Sequence, residues 1–470
     1  MNSLNIVKSQ IVNDKINFKK VISPEKVDEI IKFQIDQVTS ENSSIWTSPE
    51  HNRREYVHSF FQYPAMMVPV VQKHIIDIIK KANPQILNVV DPFMGSATSL
   101  VACMQNGLNC YGQDINPLAV LIAEARTGPY YVTAVKSKIK TLSDNILNDT
   151  SNEIEAKFNG IYKWFQLQAA IELSKIVRAI RKENRLAIRR FYWVNLAETI
   201  RLTSNDRTST FKLHARPKKE ISLRKLSPIK LFNEHLNKSI EDLELYRDLL
   251  AEVGQLSKDA YKSEIQLYLQ DSSKKINTPK DQNSFFDLLV TSPPYGDNKT
   301  TVTYGQHSYL PLQWIDLSDI DKKANRDFLK STLEIDSRSL GGKLRRLSKE
   351  EISSLCAKSP SFKIVYEKLL TTTSERVNKV LVFVQDLYNV IEQIFKVMKP
   401  NSYQVWTIGN RTVGGIEIPN NLILKELIYA KGGVLITQVE REIINKRMAK
   451  RNSSSSLMNI EDILIFRKIG

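Results

Sequence analysis

The stretch "ILNVVDPFMGSATSLVACMQNGLNCYGQD", residues 86–114, constrains the fold more than any other. "ILNVVD" is a short β-branched run, and "GSATSLVACMQNG" is a small-residue turn followed by a helix closed at Gly107. "NCYGQD" is a second strand ending in Asp114. Strand, tight turn, helix, strand is a βαβ unit, whose parallel strands need both faces covered. The pattern resumes late, with strands at "EIQLYLQD" (264–271), "FFDLLVTSPPY" (285–295), "VLITQVEREI" (434–443) and "IEDILIFRKI" (460–469). Between them, "VLVFVQDLYNVIEQIFKVMKPNSYQVWTIGN" (380–410) reads as helix, Pro-Asn turn and strand, and "PNNLILKELIYAKGG" (419–433) as a glycine-capped helix. Strands alternating with helices at both ends predict a doubly wound α/β core.

Upstream, "SPEKVDEIIKFQIDQV" (23–38) and "VVQKHIIDIIKKA" (70–82) are amphipathic helices, the first within a polar arm over 1–50. From about 130 to 262 the sequence is long, charged and helical, an insertion in the α/β core. At 470 residues, with about 150 per domain, two to four units are expected. The predicted organisation is an arm (1–50), a first half of the α/β core (51–129), the basic insertion (130–262) and a second half of the core (263–470).

Three single cysteines with no paired spacing and no histidine cluster argue against disulfides and a zinc site, so no metal is expected. No apolar run approaches the ~18 residues of a membrane span, and the N-terminus lacks a secretory block. A soluble, cytoplasmic protein with no membrane partner is the expectation. The formal charge of +16 points to a polyanionic partner. Between Lys175 and Lys225 there are 15 Lys or Arg against 4 Asp or Glu. Within that span "RLTSNDRTSTFKLHARPKKE" alternates cations with hydroxyl and amide side chains, all able to bind phosphate or base edges. Arg201, Arg207, Lys212, Arg216, Lys218 and Lys219 are the candidate DNA contacts, weighed against a solvated charged face. Arg411 and the run Lys446, Arg447, Lys450 and Arg451 are open to the same two readings, whereas His307 and Trp314 read as packing residues.

The turn "VVDPFMGSATSL" lets backbone approach a ligand closely, but it is neither GxGxxG nor a P-loop. Asp91 at the strand end suits a cationic or hydroxyl-bearing ligand. Asp114, 23 positions on, suits ribose hydroxyls. In "TSPPYG" (291–296) two prolines give a stiff, extended segment with free carbonyls after a core strand.

"DPFMGSAT", "GQDINP" and "TSPPYG" together resemble the motifs of S-adenosylmethionine-dependent amino-group DNA methyltransferases. "VHSFFQYPAMMVP" (57–69) resembles the segment before the glycine turn in cytosine-N4 members, and the C-terminal "WTIGNRTVGGIEIP" and "IEDILIFRK" resemble the end of one subfamily. The likeness covers roughly 57–129 and 264–470. It implies a Rossmann-like class I methyltransferase fold with a mixed sheet, and S-adenosyl-L-methionine as cofactor. It also implies that 51–129 is the cofactor-binding half of the core and 263–470 the catalytic half. Asp91, Phe93, Gly95 and Ser96 would serve the methionine end, Asp114 the ribose and Asp271 the adenine, with Phe60, Phe61, Tyr63 and Pro64 walling the pocket. Ser292, Pro293, Pro294 and Tyr295 would face the target base. Ser at the first motif position tilts the target to cytosine N4 and leaves adenine N6 open. Cytosine-C5 chemistry would need a nucleophilic Pro-Cys pair, and no cysteine has that setting.

Two departures stand out. Family members usually show a third glycine where this chain has Ala97, tolerable if that residue has ordinary φ. The 157 positions from Asp114 to Asp271 replace a normally short connection. The reading is a duplex-DNA cytosine-N4 methyltransferase acting on a flipped base, the modification half of a restriction system with a separate nuclease as partner. Adenine-N6 or RNA base methylation, or a DNA-binding pseudoenzyme, are the alternatives. The basic loop and a segment over 299–378 are the candidates for target recognition.

Overall fold

The β-branched runs form one seven-stranded sheet in the computed structural model, which describes residues 22–443 and 460–470. Its strands are β1 (Asn88–Asp91), β2 (Asn109–Asp114), β3 (Ile265–Leu269), β4 (Phe286–Thr291), β5 (Met398–Ile408), β6 (Gly433–Glu442) and β7 (Ile460–Lys468). The spatial order is β6-β7-β5-β4-β1-β2-β3. The pairs from β5 to β3 are parallel, and β7 runs antiparallel to both β5 and β6. Val89 of β1 enters one apolar core and Val90 the other, as do Leu288 and Leu289 of β4. A strand buried on both faces must be apolar at every position, which is why these runs do not alternate. This is the mixed, doubly wound sheet expected of a Rossmann-like class I methyltransferase, with helices on both faces. The order reverses between β1 and β4, so their carboxyl ends open the crevice where such sheets bind ligands.

Four helices share the first apolar core: α1 (Pro24–Glu41), α2 (Pro69–Ala82), α3 (Thr98–Met104) and α4 (Pro117–Thr127). The Ser23 hydroxyl accepts the Lys26 N–H and caps α1, which buries Val27, Ile31 and Ile35 along one face. The part of the expected arm that is described is therefore fixed to the core. Asp28 accepts the Tyr403 hydroxyl at 2.9 Å and Arg467 Nε at 2.8 Å, joining α1 to β5 and β7. Residues 1–21 lie outside the described residues.

The insertion is built on α5 (Val132–Leu147), α6 (Leu167–Arg181), α7 (Leu186–Thr203) and α8 (Pro228–Glu252). It shares one core with the cofactor half. Tyr246 of α8 donates to the Val101 carbonyl at 2.8 Å and packs its ring 5.7 Å from that of Tyr130. In the second half, α9 (Tyr304–Leu312) follows the SPPY segment and α10 (Ser374–Val397) leads into β5. The Pro400-Asn401 pair does not precede β5 as a turn. It sits inside the strand, where Asn401 has φ +59° and the register against β4 shifts. A bulge of this kind accommodates proline without breaking the ladder on either side. Among the described residues no helix is long and apolar enough to cross a membrane.

Candidate active site

The β1 turn is organised by a carboxylate that does not reach solvent. Asp91 is wholly buried, and it accepts the Phe93 N–H at 3.0 Å, the Thr291 hydroxyl at 2.7 Å and the Ser99 hydroxyl. Burial raises its carboxyl to about 6, against the pull of those hydrogen bonds. It ties the turn to the end of β4 and is not part of the cleft wall. Asp91 thus braces the turn that carries Phe93, Gly95 and Ser96. Gly95 takes φ +47°, and a Cβ there would lie 3.3 Å from the Tyr63 ring.

Ala97 lacks the ordinary φ on which its tolerance was expected to depend. Its φ is +62° and ψ +26°, in the left-handed region, and it is fully buried. Alanine here holds a backbone shape that glycine adopts freely, at a strain of about 1–2 kcal/mol. Ala97→Gly should relieve that strain, offset in part by the loss of one buried methyl worth about 0.8 kcal/mol. We expect a net gain of roughly 0.5 kcal/mol with unchanged cofactor affinity, read by denaturant unfolding. A loss of stability would mean that the methyl packing outweighs the strain.

Above the turn lies a cleft of about 870 Å³, open to solvent. Phe93, Gly95, Ser96, Asp114, Asp271, Tyr63 and Pro64 line it, as do Ser292 and Pro294 at its β4 end. Phe60 and Phe61 do not. Both are fully buried, and Phe60 packs edge-on against Phe191. Asp114 ends β2 and accepts the Gly95 N–H at 2.9 Å and the Asn116 N–H at 2.8 Å. Burial raises it to about 6 as well. Asp271 follows β3; its Oδ1 accepts both the N–H and the hydroxyl of Ser273 at 3.0 and 2.7 Å, and Lys274 lies 3.1 Å from Oδ2.

The SPPY segment leaves β4 under several restraints. Ser292 Oγ lies 3.1 Å from the Tyr295 hydroxyl, and Asn420 donates to the Tyr295 carbonyl at 2.9 Å. Pro293 is buried, and no described residue donates a hydrogen bond to its carbonyl. Tyr295 is half-buried, packs on the second core and does not itself line the cleft. Gly296 is required by close approach, since a Cβ there would fall 1.4 Å from an Arg411 nitrogen. Arg411, open in the sequence to two surface readings, instead lies under this loop and pairs with Asp297 at 3.6 Å.

Several residues of the site gave no signal in the sequence. Arg126 of α4 is wholly buried and donates to the carbonyls of Ser96 at 2.7 Å, His58 at 3.2 Å and Phe61 at 3.0 Å. It joins the glycine turn to the aromatic wall, and burial lowers it to about 9. Asn116 bridges the Tyr63 hydroxyl and Ser308 Oγ at 3.2 and 2.7 Å. Asn298 lines the cleft, its Oδ1 buried with no partner among the described residues. In "GQDINP" the asparagine matters beside the aspartate, because it also caps α4.

The basic loop lies against this site. The Thr303 hydroxyl donates to the Phe211 carbonyl at 3.0 Å, and the Leu213 N–H donates to Gln306 Oε1 at 3.1 Å. Between them Tyr304 lines the cleft and stacks on Tyr63, with centroids 5.7 Å apart. Arg207, Lys212, Lys218 and Lys219 are exposed and make no ion pair with a described residue. Arg201 is mostly buried on Glu198 at 2.5 Å, and Arg216 bonds the Asp206 carbonyl at 3.1 Å and lies 3.6 Å from Glu220. Further back, Arg178, Arg181, Arg189 and Arg190 are also paired with carboxylates. Much of the dense positive charge thus holds helices together. Trp314 packs at 3% exposure, and His307 bonds the Gln62 carbonyl at 3.0 Å, held neutral by burial that lowers it to about 4. Lys446, Arg447, Lys450 and Arg451 lie outside the described residues.

No family model matches the chain. Among curated proteins it is similar to the type II methyltransferase M.MvaI of Kocuria varians. The two are 32% identical over 431 residues, spanning 89% of this chain and 91% of that protein. It is 31% identical over 138 residues to the type II methyltransferase M.MjaII of Methanocaldococcus jannaschii, covering 27% of this chain and 25% of that protein. The type II methyltransferase M.AvaI of a Nostoc species is 24% identical over 397 residues, or 80% of this chain and 79% of that protein.

Proposed function

The chain belongs to the type II methyltransferases, the S-adenosylmethionine-dependent DNA methyltransferases of restriction-modification systems, and we propose that it methylates the N4 amine of a flipped cytosine in duplex DNA. The observation that carries this reading is the meeting of Ser292 and Asp114 on one cleft at the point where the strand order reverses.

The cleft suits the cofactor. It has an acceptor carboxylate at one side and, at Asn298, a buried amide oxygen with no partner among the described residues. Phe93, Gly95 and Ser96 would hold the methionine end, Asp114 the ribose and Asp271 the adenine, between the walls of Tyr63 and Pro64. When bound, S-adenosylmethionine supplies a methyl group on a positively charged sulfur.

A base amine conjugated to its ring is a poor nucleophile. Ser292 Oγ and the Pro293 carbonyl would accept its two N–H groups, favour a pyramidal nitrogen and aim the lone pair. The prolines make those acceptors rigid, so the gain is one of positioning. A base inside a duplex is out of reach, so it must be flipped, and Tyr295, three residues after Ser292, would stack on its face. Adenine N6 could be served by the same acceptors, and Ser292, rather than an acid or amide at that position, is what favours cytosine. The test is transfer of labelled methyl from S-adenosylmethionine to unmodified duplex DNA, with RNA as control. Transfer to RNA alone would reverse the substrate assignment. A separate cognate endonuclease is the partner this reading implies.

For the DNA face we retain Arg207, Lys212, Lys218 and Lys219 as the leading candidates, with Arg216 behind them. Arg201 is assigned to its pair with Glu198. Reversing the four exposed charges should weaken DNA binding and reduce the slope of log K against log salt by about 0.9 for each phosphate the protein no longer neutralises. A titration across salt concentrations measures this, and an unchanged slope would move the face elsewhere.

A further inference from the structure

The Ser292 hydroxyl begins a chain of hydrogen bonds that ends on a charge. Ser292 Oγ and the Tyr295 oxygen are 3.1 Å apart, and the Tyr295 hydroxyl donates to Glu461 Oε1 at 3.1 Å. Arg441 donates to Glu461 Oε2 at 2.6 Å. Arg441 and Glu461 face each other across β6 and β7, and the Arg441 side chain is only 3% exposed.

The chemistry of these groups fixes the direction of the chain. A carboxylate only accepts and a guanidinium only donates, whereas a hydroxyl can do either and rotates to suit. The Tyr295 proton therefore points to Glu461. The Tyr295 oxygen then offers Ser292 only lone pairs, so the Ser292 proton points to Tyr295. The serine oxygen is left with its lone pairs toward the cleft.

We propose that Glu461 is a positioning residue which, through Tyr295, fixes the Ser292 hydroxyl as an acceptor for the target amine. This rests on the reading of Ser292 as an amine acceptor and holds for cytosine or adenine alike. Burial and the Glu461 charge keep the Tyr295 phenol well above its ordinary range, so it stays protonated as the chain requires.

Glu461→Gln tests the proposal because it changes polarity and not shape. Arg441 can only donate, so the glutamine oxygen must face Arg441 and its NH₂ must face Tyr295. That reverses the chain: Tyr295 then donates to Ser292, takes one of its two lone pairs and turns the serine proton toward the cleft, where it opposes the N–H of the amine. With unmethylated plasmid DNA and labelled S-adenosylmethionine, kcat should fall about tenfold or more. KM and the calorimetric Kd for the cofactor should be unchanged. Tyr295→Phe should cost only a few-fold in kcat, since Ser292 is freed rather than blocked. The double variant should then recover to the level of Tyr295→Phe, a rescue that a merely structural role would not give.

If Glu461→Gln stays within twofold of the parent while Ser292→Ala is impaired, the chain has no role and the proposal fails alone. A double variant no better than Glu461→Gln overturns it too. Full activity in Ser292→Ala would remove the underlying reading and this inference together. Should Glu461→Gln shift the melting temperature or the cofactor Kd, Tyr295→Phe decides: a few-fold loss of kcat at constant Kd supports the chain, and full activity overturns it.

Discussion

Ser292→Ala is expected to lower the single-turnover rate of methyl transfer on the order of 100-fold while cofactor affinity stays within about twofold. The side chain stands at the β4 end of the cleft, and its only hydrogen bond to a described residue is with the Tyr295 hydroxyl. Removing it leaves the turn, Asp114 and the walls of the cofactor site untouched. The loss should therefore fall on the step in which the amine is aimed. Rapid-quench assays under saturating DNA and cofactor separate that step from binding. A parallel rise in cofactor Kd would instead give Ser292 a part in shaping the pocket.

Asp114→Ala should weaken the cofactor about 100-fold, or about 2.7 kcal/mol, the scale of two hydrogen bonds to a charged acceptor. Part of this is indirect, because Asp114 also braces the Gly95 and Asn116 N–H groups, which alanine would leave unpaired. The pH dependence isolates the direct part. Burial raises the Asp114 carboxyl to about 6 in the free protein, while donors from a bound ribose favour the ionised form. Cofactor affinity should then be full above pH 6 and fall as pH drops through that value, by at most about tenfold per unit. Asp114→Asn should flatten this slope. Asp91, raised to about 6 beside it, remains in that variant, so any residual slope reports on the turn. Affinity independent of pH between 5 and 7 in the parent would remove Asp114 from the site.

The doubly wound core was legible because strands buried on both faces must be continuous apolar runs, as in "NVV" and "DLLV". The turn, Asp114 and the SPPY segment stood out in the sequence as unusual residue types at strand ends, and the fold brings them to one cleft. What the sequence hid has a common cause. Arg126, Asn116 and Glu461 act through partners far away in the chain, and an arginine within a helix looks solvated until its neighbours are known. Part of the charge density is answered inside the fold for the same reason, since Arg201 and the arginines of α6 and α7 meet carboxylates that only the fold brings near. The left-handed backbone at Ala97 was hidden as well, because nothing in an alanine side chain reports it.

The central claim is that a Ser-Pro-Pro-Tyr acceptor set and an Asp114-centred cofactor cleft act together on the cytosine amine. Its most direct test is incubation of the protein with unmodified duplex DNA of mixed sequence and methyl-labelled S-adenosylmethionine, followed by mass spectrometry of the nucleosides. Labelled N4-methylcytosine is the predicted product. Labelled N6-methyladenine would keep the geometry and contradict the base, and saturable cofactor binding with no labelled nucleoside would contradict the assignment of duplex DNA.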